Sequence, residues 1–376
     1  MIGRLNMNNS FKNIYKGRKI LITGNTGFKG SWLTTWLLEL GADVVGYSME
    51  TPSQPNMFDI LSLDKKMKYI KGDVRDGEKL DGVFAENQPE IVFHLAAQPL
   101  VLQSYQNPKI TYETNVMGTV NLLEASKNCD SVEVVINVTS DKCYKNTGKK
   151  EGYKETDPLG GDDPYSSSKA CSELITNAYR ESFFKNELLE CNKPELASVR
   201  AGNVIGGGDW AQDRLIPDCI RSLTTNNVIN IRNPKSVRPW QHVLEPLSGY
   251  LWLAALMFDG KMSCCDSWNF GPVNNLFMDV EEVVNHVIRS WDDEGKYKIQ
   301  INGQMPEKNF LSLDISYVEN RLGWKPIYNV KKAIEETVRW YWKYYNESVD
   351  MYQFTLEQVN SYIKTARNQN LEWLMY

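Results

Sequence analysis

The chain has 376 residues, 42% of them hydrophobic, and carries 42 lysines and arginines against 47 aspartates and glutamates, a net charge of −5. That balance excludes a general nucleic-acid or membrane-surface binder and fits a globular protein. No apolar run approaches the roughly 18–20 residues of a membrane span, and the polar segment Met1–Gly17 lacks the apolar core of a secretory leader, so a cytoplasmic protein is expected. Seven scattered cysteines contain no C-x-x-C pair, and His94, His242 and His286 lie far apart, which points to free thiols and to no metal site. The length suggests two lobes or one extended α/β domain.

The first informative stretch is KILITGNTGFKGSW, Lys19–Trp32. An apolar strand runs into Gly24, and Gly27 and Gly30 follow at three-residue spacing. A helix is expected over Trp32–Leu40, stopping at Gly41. Gly24 permits the turn, Gly27 allows close approach of a pyrophosphate, and Gly30 allows the helix to pack on the strand. The helix N-terminus offers free N–H groups to phosphate. By itself the motif fits an ordinary strand–helix turn equally well.

Further strands are expected at Asp43–Ser48, Lys68–Lys71, Glu90–Ala97, Val132–Ser140 and Leu196–Val204, with helices at Ile110–Asn128 and Pro164–Phe184. Strand–helix alternation implies a doubly wound, mostly parallel α/β sheet of Rossmann type over 17–205. From Gly206 the pattern breaks. Helices are expected at Arg214–Leu223, Glu245–Met257, Asp279–Trp291 and Val330–Tyr345, with a strand at Val228–Arg232. Residues 206–376 read as a smaller, mixed α/β substrate lobe, some of whose segments are free to rejoin the main sheet. Lys145–Lys154 reads as a polar, mobile loop. Trp36, Trp340 and Trp342 fall at helical spacing and are assigned to packing.

Two stretches carry acid–base chemistry. Tyr165 and Lys169 sit four apart on one helix face, where an ammonium can lower the phenol's pKa. A solvent-facing pair would have the same spacing. Thr139-Ser140-Asp141-Lys142 ends a strand of the parallel sheet, where ligands bind. A polar strand–loop junction would read the same way.

Together with the glycine turn, these residues resemble the extended short-chain dehydrogenase/reductase superfamily through at least Trp324. TGNTGFKGSWL, HLAAQPLV, TSDKCY, RAGNVIGGGDW, DRLIPD and RPWQHVLEPL resemble signature segments of its nucleotide-sugar 4,6-dehydratases. Most of those carry Asp-Glu after the Ser or Thr, whereas Asp-Lys is similar to the branch acting on CDP-glucose. The sequence departs from that branch at Asn25, where histidine is frequent, and at Leu102-Gln103, where basic residues are expected.

The resemblance implies NAD as cofactor, CDP-glucose as substrate and a homodimer built on the 110–128 and 164–184 helices. It implies Ser140, Asp141, Lys142, Tyr165 and Lys169 as the catalytic set. Tyr165 takes the C4 hydroxyl proton, Ser140 bonds the same oxygen, Lys142 removes the C5 proton, and Asp141 protonates the leaving C6 hydroxyl. Burial and a nearby Lys169 are expected to act on Lys142. Cofactor contacts are implied for Gly24, Asn25, Thr26, Gly27, Phe28, Lys29 and Gly30, for Asp73, Val74, Leu95, Ala96, Ala97 and Asn115, and again for Tyr165 and Lys169. Gln98, Asn203, Arg214 and Arg238 are the candidates for substrate contact. Ser48 and Glu50 are the nearest candidates for a ribose contact after the second strand. An epimerase of the same superfamily would need Tyr165 and Lys169 but not Asp141-Lys142. A non-catalytic dinucleotide sensor would need only the glycine turn.

Overall fold

Seven short strands build one parallel sheet, and all but the edge strand Lys68–Lys71 are largely buried. The computed structural model describes residues 10–185, 194–231, 233–260, 264–272, 277–291, 299–301 and 310–375. Arg232, the expected end of one strand, and Cys191 lie outside them. In chain order the first half holds β1 (Lys19–Thr23), α1 (Phe28–Glu39), β2 (Asp43–Ser48), α2 (Met57–Ile60), β3 (Lys68–Lys71), α3 (Gly77–Asn87), β4 (Ile91–His94), α4 (Val101–Gln106), α5 (Pro108–Tyr112), α6 (Gly118–Lys127), β5 (Val134–Val138), α7 (Pro164–Tyr179) and β6 (Glu195–Ala201). The second half adds β7 (Val204–Ile205), α8 (Leu215–Thr224), β8 (Ile229–Ile231), β9 (Val237–Arg238), β10 (Gln241–His242), α9 (Leu244–Phe258), β11 (Ser267–Phe270), β12 (Met278–Asp279), α10 (Val280–Trp291), β13 (Ile299–Ile301), α11 (Ser316–Leu322), α12 (Val330–Asn346) and α13 (Met351–Asn368).

The sheet order is β11-β6-β5-β4-β1-β2-β3, so the chain reverses direction of build between β1 and β4. That junction is where a parallel sheet opens a crevice at its strand ends. Side chains alternate between two cores. Ile20, Ile22, Val134 and Ile136 join the core that also contains α1, α9 and α12, while Leu21 and Val135 join the core under α3 and α6. Covering both faces is why these strands are continuously apolar. β11 comes from the second half and pairs with β6, and three two-stranded sheets lie outside the main one.

Several boundaries differ from the expectations. α1 starts at Phe28, not Trp32, because its first turn is glycine-flanked and shows no apolar periodicity. The expected strand Glu90–Ala97 ends at His94, since Leu95 and Ala96 turn to bond Thr23. Ile110–Asn128 is not one regular helix: a widened π-type turn, Glu113–Met117, separates α5 from α6, and a second one, Arg180–Phe184, follows α7. Lys145–Lys154 is not a free loop. Tyr153 is buried, bridges to Leu313 and stacks on Tyr144 with ring centroids 5.2 Å apart. Trp36 and Trp340 are buried, whereas Trp342 remains exposed.

The C-terminal helices are clasped by one buried acid. Glu245 on α9 accepts bonds from the Tyr328 amide at 2.6 Å, the Ile327 amide at 3.0 Å and the Tyr362 hydroxyl at 2.7 Å. Burial raises its pKa to about 7. Glu245→Ala strands three donors, two of them buried and each of those worth about 1–3 kcal/mol. A clear drop in the chemical-denaturation midpoint is the expected result, and an unchanged midpoint would show that α12 and α13 do not depend on this clasp.

Candidate active site

The site forms where β1, β4 and β5 end. Gly24 follows β1 with φ +76°, and a Cβ there would lie 2.7 Å from the Ala96 nitrogen. Only glycine satisfies both demands. A Cβ on Gly30 would stand 2.1 Å from the Gly24 carbonyl, so helix and turn touch through bare backbone. Gly27 is the N-cap of α1, no side chain caps it, and its own Cβ would meet only the Gly24 carbonyl, at 3.3 Å. The result is an uncapped helix N-terminus over a glycine cradle, a geometry suited to a diphosphate.

The residues around the cradle divide into two sets. Asn25 is buried, accepts a 2.7 Å bond from Ser48 and so ties the turn to the end of β2. Thr26 donates its amide to Ser48 at 3.4 Å, while Glu50 faces outward and pairs with Lys71. Asp73 is bonded by Arg75, at 2.9 Å to Nε, and its carbonyl accepts from Tyr47. Val74 is buried against Gly118, where an added Cβ would lie 2.7 Å from it. Phe28 lies against Gly206. Leu95, Ala96 and Ala97 form the backbone leaving β4.

Asn115 and Gln98, both expected to meet ligands, are bonded to one another. Asn115 accepts from the Gln98 amide at 2.8 Å and donates to Ser168 at 2.8 Å. The Gln98 side chain donates to Thr111 at 2.9 Å and accepts from the Leu100 amide at 2.6 Å. With their side-chain groups engaged by the chain, both hold the 95–100 loop. Leu102-Gln103 belongs to α4, and Leu102 is exposed.

The candidate acid–base residues come from two elements. Asp163 caps α7 by accepting from the Ser166 amide at 2.8 Å and its hydroxyl at 2.7 Å, with Pro164 in the first turn. This start sets Tyr165, whose amide also bonds Ser104 at 3.2 Å. Lys169, one turn on, is buried and donates to the Val138 carbonyl at 3.3 Å. From the end of β5, Ser140 donates to Asp141 at 3.0 Å, and the Lys142 ammonium lies 3.6 Å from the same carboxylate. A Cβ on Gly202, after β6, would come within 3.2 Å of Asp141.

The electrostatics correct two expectations. Burial raises the Tyr165 phenol above its ordinary value, and the strongest opposing charge is Lys142 rather than Lys169, followed by a bond from the Ser140 side chain. Lys142 is not buried: its side chain is 40% exposed, and Asp141 at 4% is the buried partner. Lys29 reaches this region too. Burial lowers its ammonium to about 8, helped by Arg214, Lys169 and Lys142 and opposed by Asp141. Several cations thus surround one carboxylate, a field that favours an anionic ligand. Arg214 pairs with Asp209 at 2.7 Å, and Arg238 bonds the Val237 carbonyl at 2.9 Å on β9. Asn203, beside β7, accepts from the Gln241 amide through its carbonyl at 3.0 Å. Among the described residues no group of three acidic, histidine or cysteine side chains is arranged to hold a metal ion.

A parallel sheet with this crevice, a Tyr–Lys helix and a polar β5 end defines an extended short-chain dehydrogenase/reductase fold. An epimerase from Methanothermobacter thermautotrophicus superposes with a TM-score of 0.76 at 22% identity, over 92% of this chain and 97% of that one. A dTDP-glucose 4,6-dehydratase from Streptomyces venezuelae, solved with NAD and TYD bound, gives 0.72 at 23% identity, over 87% and 97%. Residues 21–337 match the GDP-mannose 4,6-dehydratase family, and the chain belongs to that family. The CDP-glucose 4,6-dehydratase of Salmonella typhimurium is 46% identical over 355 residues, covering 94% of this chain and 99% of that protein. The dTDP-glucose 4,6-dehydratase 1 of Escherichia coli is 24% identical over 351 residues, covering 86% and 92%.

The Asp163 cap gives a direct check on how Tyr165 is held. Asp163→Ala removes both cap bonds and is expected to cost about 1–2 kcal/mol. Hydrogen exchange at residues 165–168 should quicken more than in the rest of α7. Uniform protection along the helix would mean that Pro164 and packing suffice.

Proposed function

We propose that this protein is a lyase that removes water from CDP-glucose to give CDP-4-dehydro-6-deoxyglucose, a step of deoxysugar and lipopolysaccharide synthesis in the cytoplasm. The observation that carries the reading is Asp141 and Lys142 as a 3.6 Å acid–base pair beside Ser140 and Tyr165, in a chain 46% identical to a CDP-glucose 4,6-dehydratase. An epimerase has no use for that pair.

The glycine cradle and the uncapped N-terminus of α1 fit the diphosphate of NAD, with the backbone of Gly24, Thr26 and Phe28–Gly30 as its contacts. When bound there, NAD would supply the hydride chemistry that links C4 of the sugar to C6. Tyr165 takes the C4 hydroxyl proton, while Ser140 bonds the same oxygen. The C4 ketone acidifies the C5 proton, which Lys142 removes. Asp141 acts as the acid toward the C6 hydroxyl, so water leaves as the C5–C6 double bond forms. Protonation of C5 by Lys142 then completes the product. Lys169 supports the phenol, and Lys29, Arg214 and Arg238 supply positive charge for the substrate diphosphate.

A homodimer fits the apolar side chains left open on α5, α7 and the turn after each: Ile110, Tyr112, Met117, Leu174 and Phe183 are exposed. Facing helices from a second copy would cover them.

Tyr165→Phe should lower turnover about 10²–10⁴-fold with NAD affinity kept. Gly27→Val should instead weaken NAD binding in calorimetry, because its side chain projects into the cradle. Lys142→Met decides the chemistry. In a single turnover with CDP-glucose, reduced cofactor should form and persist with no 6-deoxy product, and Asp141→Asn should stall at the same stage. Product release by Lys142→Met within a few-fold of the parent rate would remove Lys142 as the base.

A further inference from the structure

Glu173 lies on α7, four residues beyond Lys169 and eight beyond Tyr165, so the three share one helix face. Its carboxylate is buried and bonded from every side. Arg200 Nη2 and Ser198 Oγ, both on β6, each donate at 2.7 Å, and Ser267 Oγ on β11 donates at 3.4 Å. Thr139 Oγ1 donates to the other carboxylate oxygen. Thr139 directly precedes Ser140-Asp141-Lys142. One carboxylate therefore joins the helix bearing Tyr165 and Lys169 to the strand end bearing the other acid–base groups.

Lys169 needs such a partner. Its ammonium is buried, and among the described residues its hydrogen bond goes to a backbone carbonyl alone. The titratable groups that act on it or on which it acts are Glu173 on its own helix, Cys143 after β5, Lys29 on α1 and His94 on β4. Glu173 is the carboxylate in that set. Burial lowers the Lys169 ammonium to about 8, and the strongest influence in the other direction is the Glu173 charge. Arg200, bonded to Glu173, keeps that carboxylate itself ionised against the effect of burial.

We propose that Glu173 is a positioning residue of this reaction, keeping Lys169 charged and fixing Thr139 so that the β5 segment faces Tyr165. The role rests on the reading of Tyr165 and Lys169 given above. The sign follows from the charges. Without the anion the Lys169 ammonium loses its proton at lower pH, so the alkaline limb of activity moves down.

Glu173→Gln keeps the shape and removes the charge, while Thr139→Val removes one bond and keeps the charge. For Glu173→Gln the alkaline limb of kcat is expected to fall by about one pH unit, with KM for CDP-glucose within about threefold. NAD binding to the cofactor-free variant should take up more protons at pH 8 than in the parent, read from the buffer dependence of the calorimetric enthalpy. Thr139→Val should lower kcat about tenfold with the limb unmoved. Because Glu173→Gln leaves Arg200 buried without an anion, Glu173→Gln/Arg200→Met is the second variant and is read in the same way. A parental limb and parental proton uptake in either variant would make Glu173 scaffolding only, as would failure of both to fold. If the parent does not turn over CDP-glucose, the substrate reading falls, while proton uptake on NAD binding still decides the role of Glu173.

Discussion

A buried carboxylate has to be satisfied where it stands, and Glu173 is satisfied by three strands at once. Thr139 of the β5 end, Ser198 and Arg200 of β6 and Ser267 of β11 all converge on it. Breaking such a pair by removing one partner typically costs about 3–5 kcal/mol, because the other charge is left buried alone. The pair also reaches outward: Arg200 donates to Tyr144 at 2.6 Å, and Tyr144 donates to Asn269 at 2.8 Å. The loop after β5, the sheet edge and helix α7 are therefore fixed by one polar network inside an apolar frame. Strand ends that would otherwise fray become rigid where the acid–base residues begin.

That rigidity gives the charges of the site their meaning. Asp141 is enclosed and Lys142 is half open, and the two remain in contact. Burial raises the pKa of the Tyr165 phenol, and the Lys142 and Arg214 charges and a bond from Ser140 act against it. A positively charged environment then favours both an anionic substrate and the transient phenolate. In the proposed reaction the same surroundings serve binding and proton transfer.

Much of this was legible in the sequence. The strand Asp43–Ser48 has the expected bounds, because two-sided burial writes itself as continuous apolar residues, and the half-buried edge strand Lys68–Lys71 has them too, between two exposed lysines. The glycine turn was legible because its spacing answers a backbone demand. The start of α1 was not, since Gly27 and Gly30 carry no periodic side chain. The anchoring of Lys145–Lys154 was hidden because Tyr153 bridges to Leu313, far away in the chain. The bonds between the Asn115 side chain and the Gln98 backbone form a pairing that no local pattern announces. Glu173 was missed although Tyr165, Lys169 and Glu173 recur at four-residue spacing, a signal readable only if a buried anion is expected beneath the lysine.

The central claim is that the C4 hydrogen of a CDP-sugar ends at C6 of the same molecule. CDP-glucose carrying deuterium at C4 tests it with the intact enzyme, alongside dTDP-, UDP- and GDP-glucose as competitors. The account predicts a 4-keto-6-deoxy product from CDP-glucose in preference to the others, with the deuterium on C6 and solvent hydrogen at C5. Deuterium retained at C4 of an inverted sugar, or equal turnover of several nucleotide sugars, would contradict it.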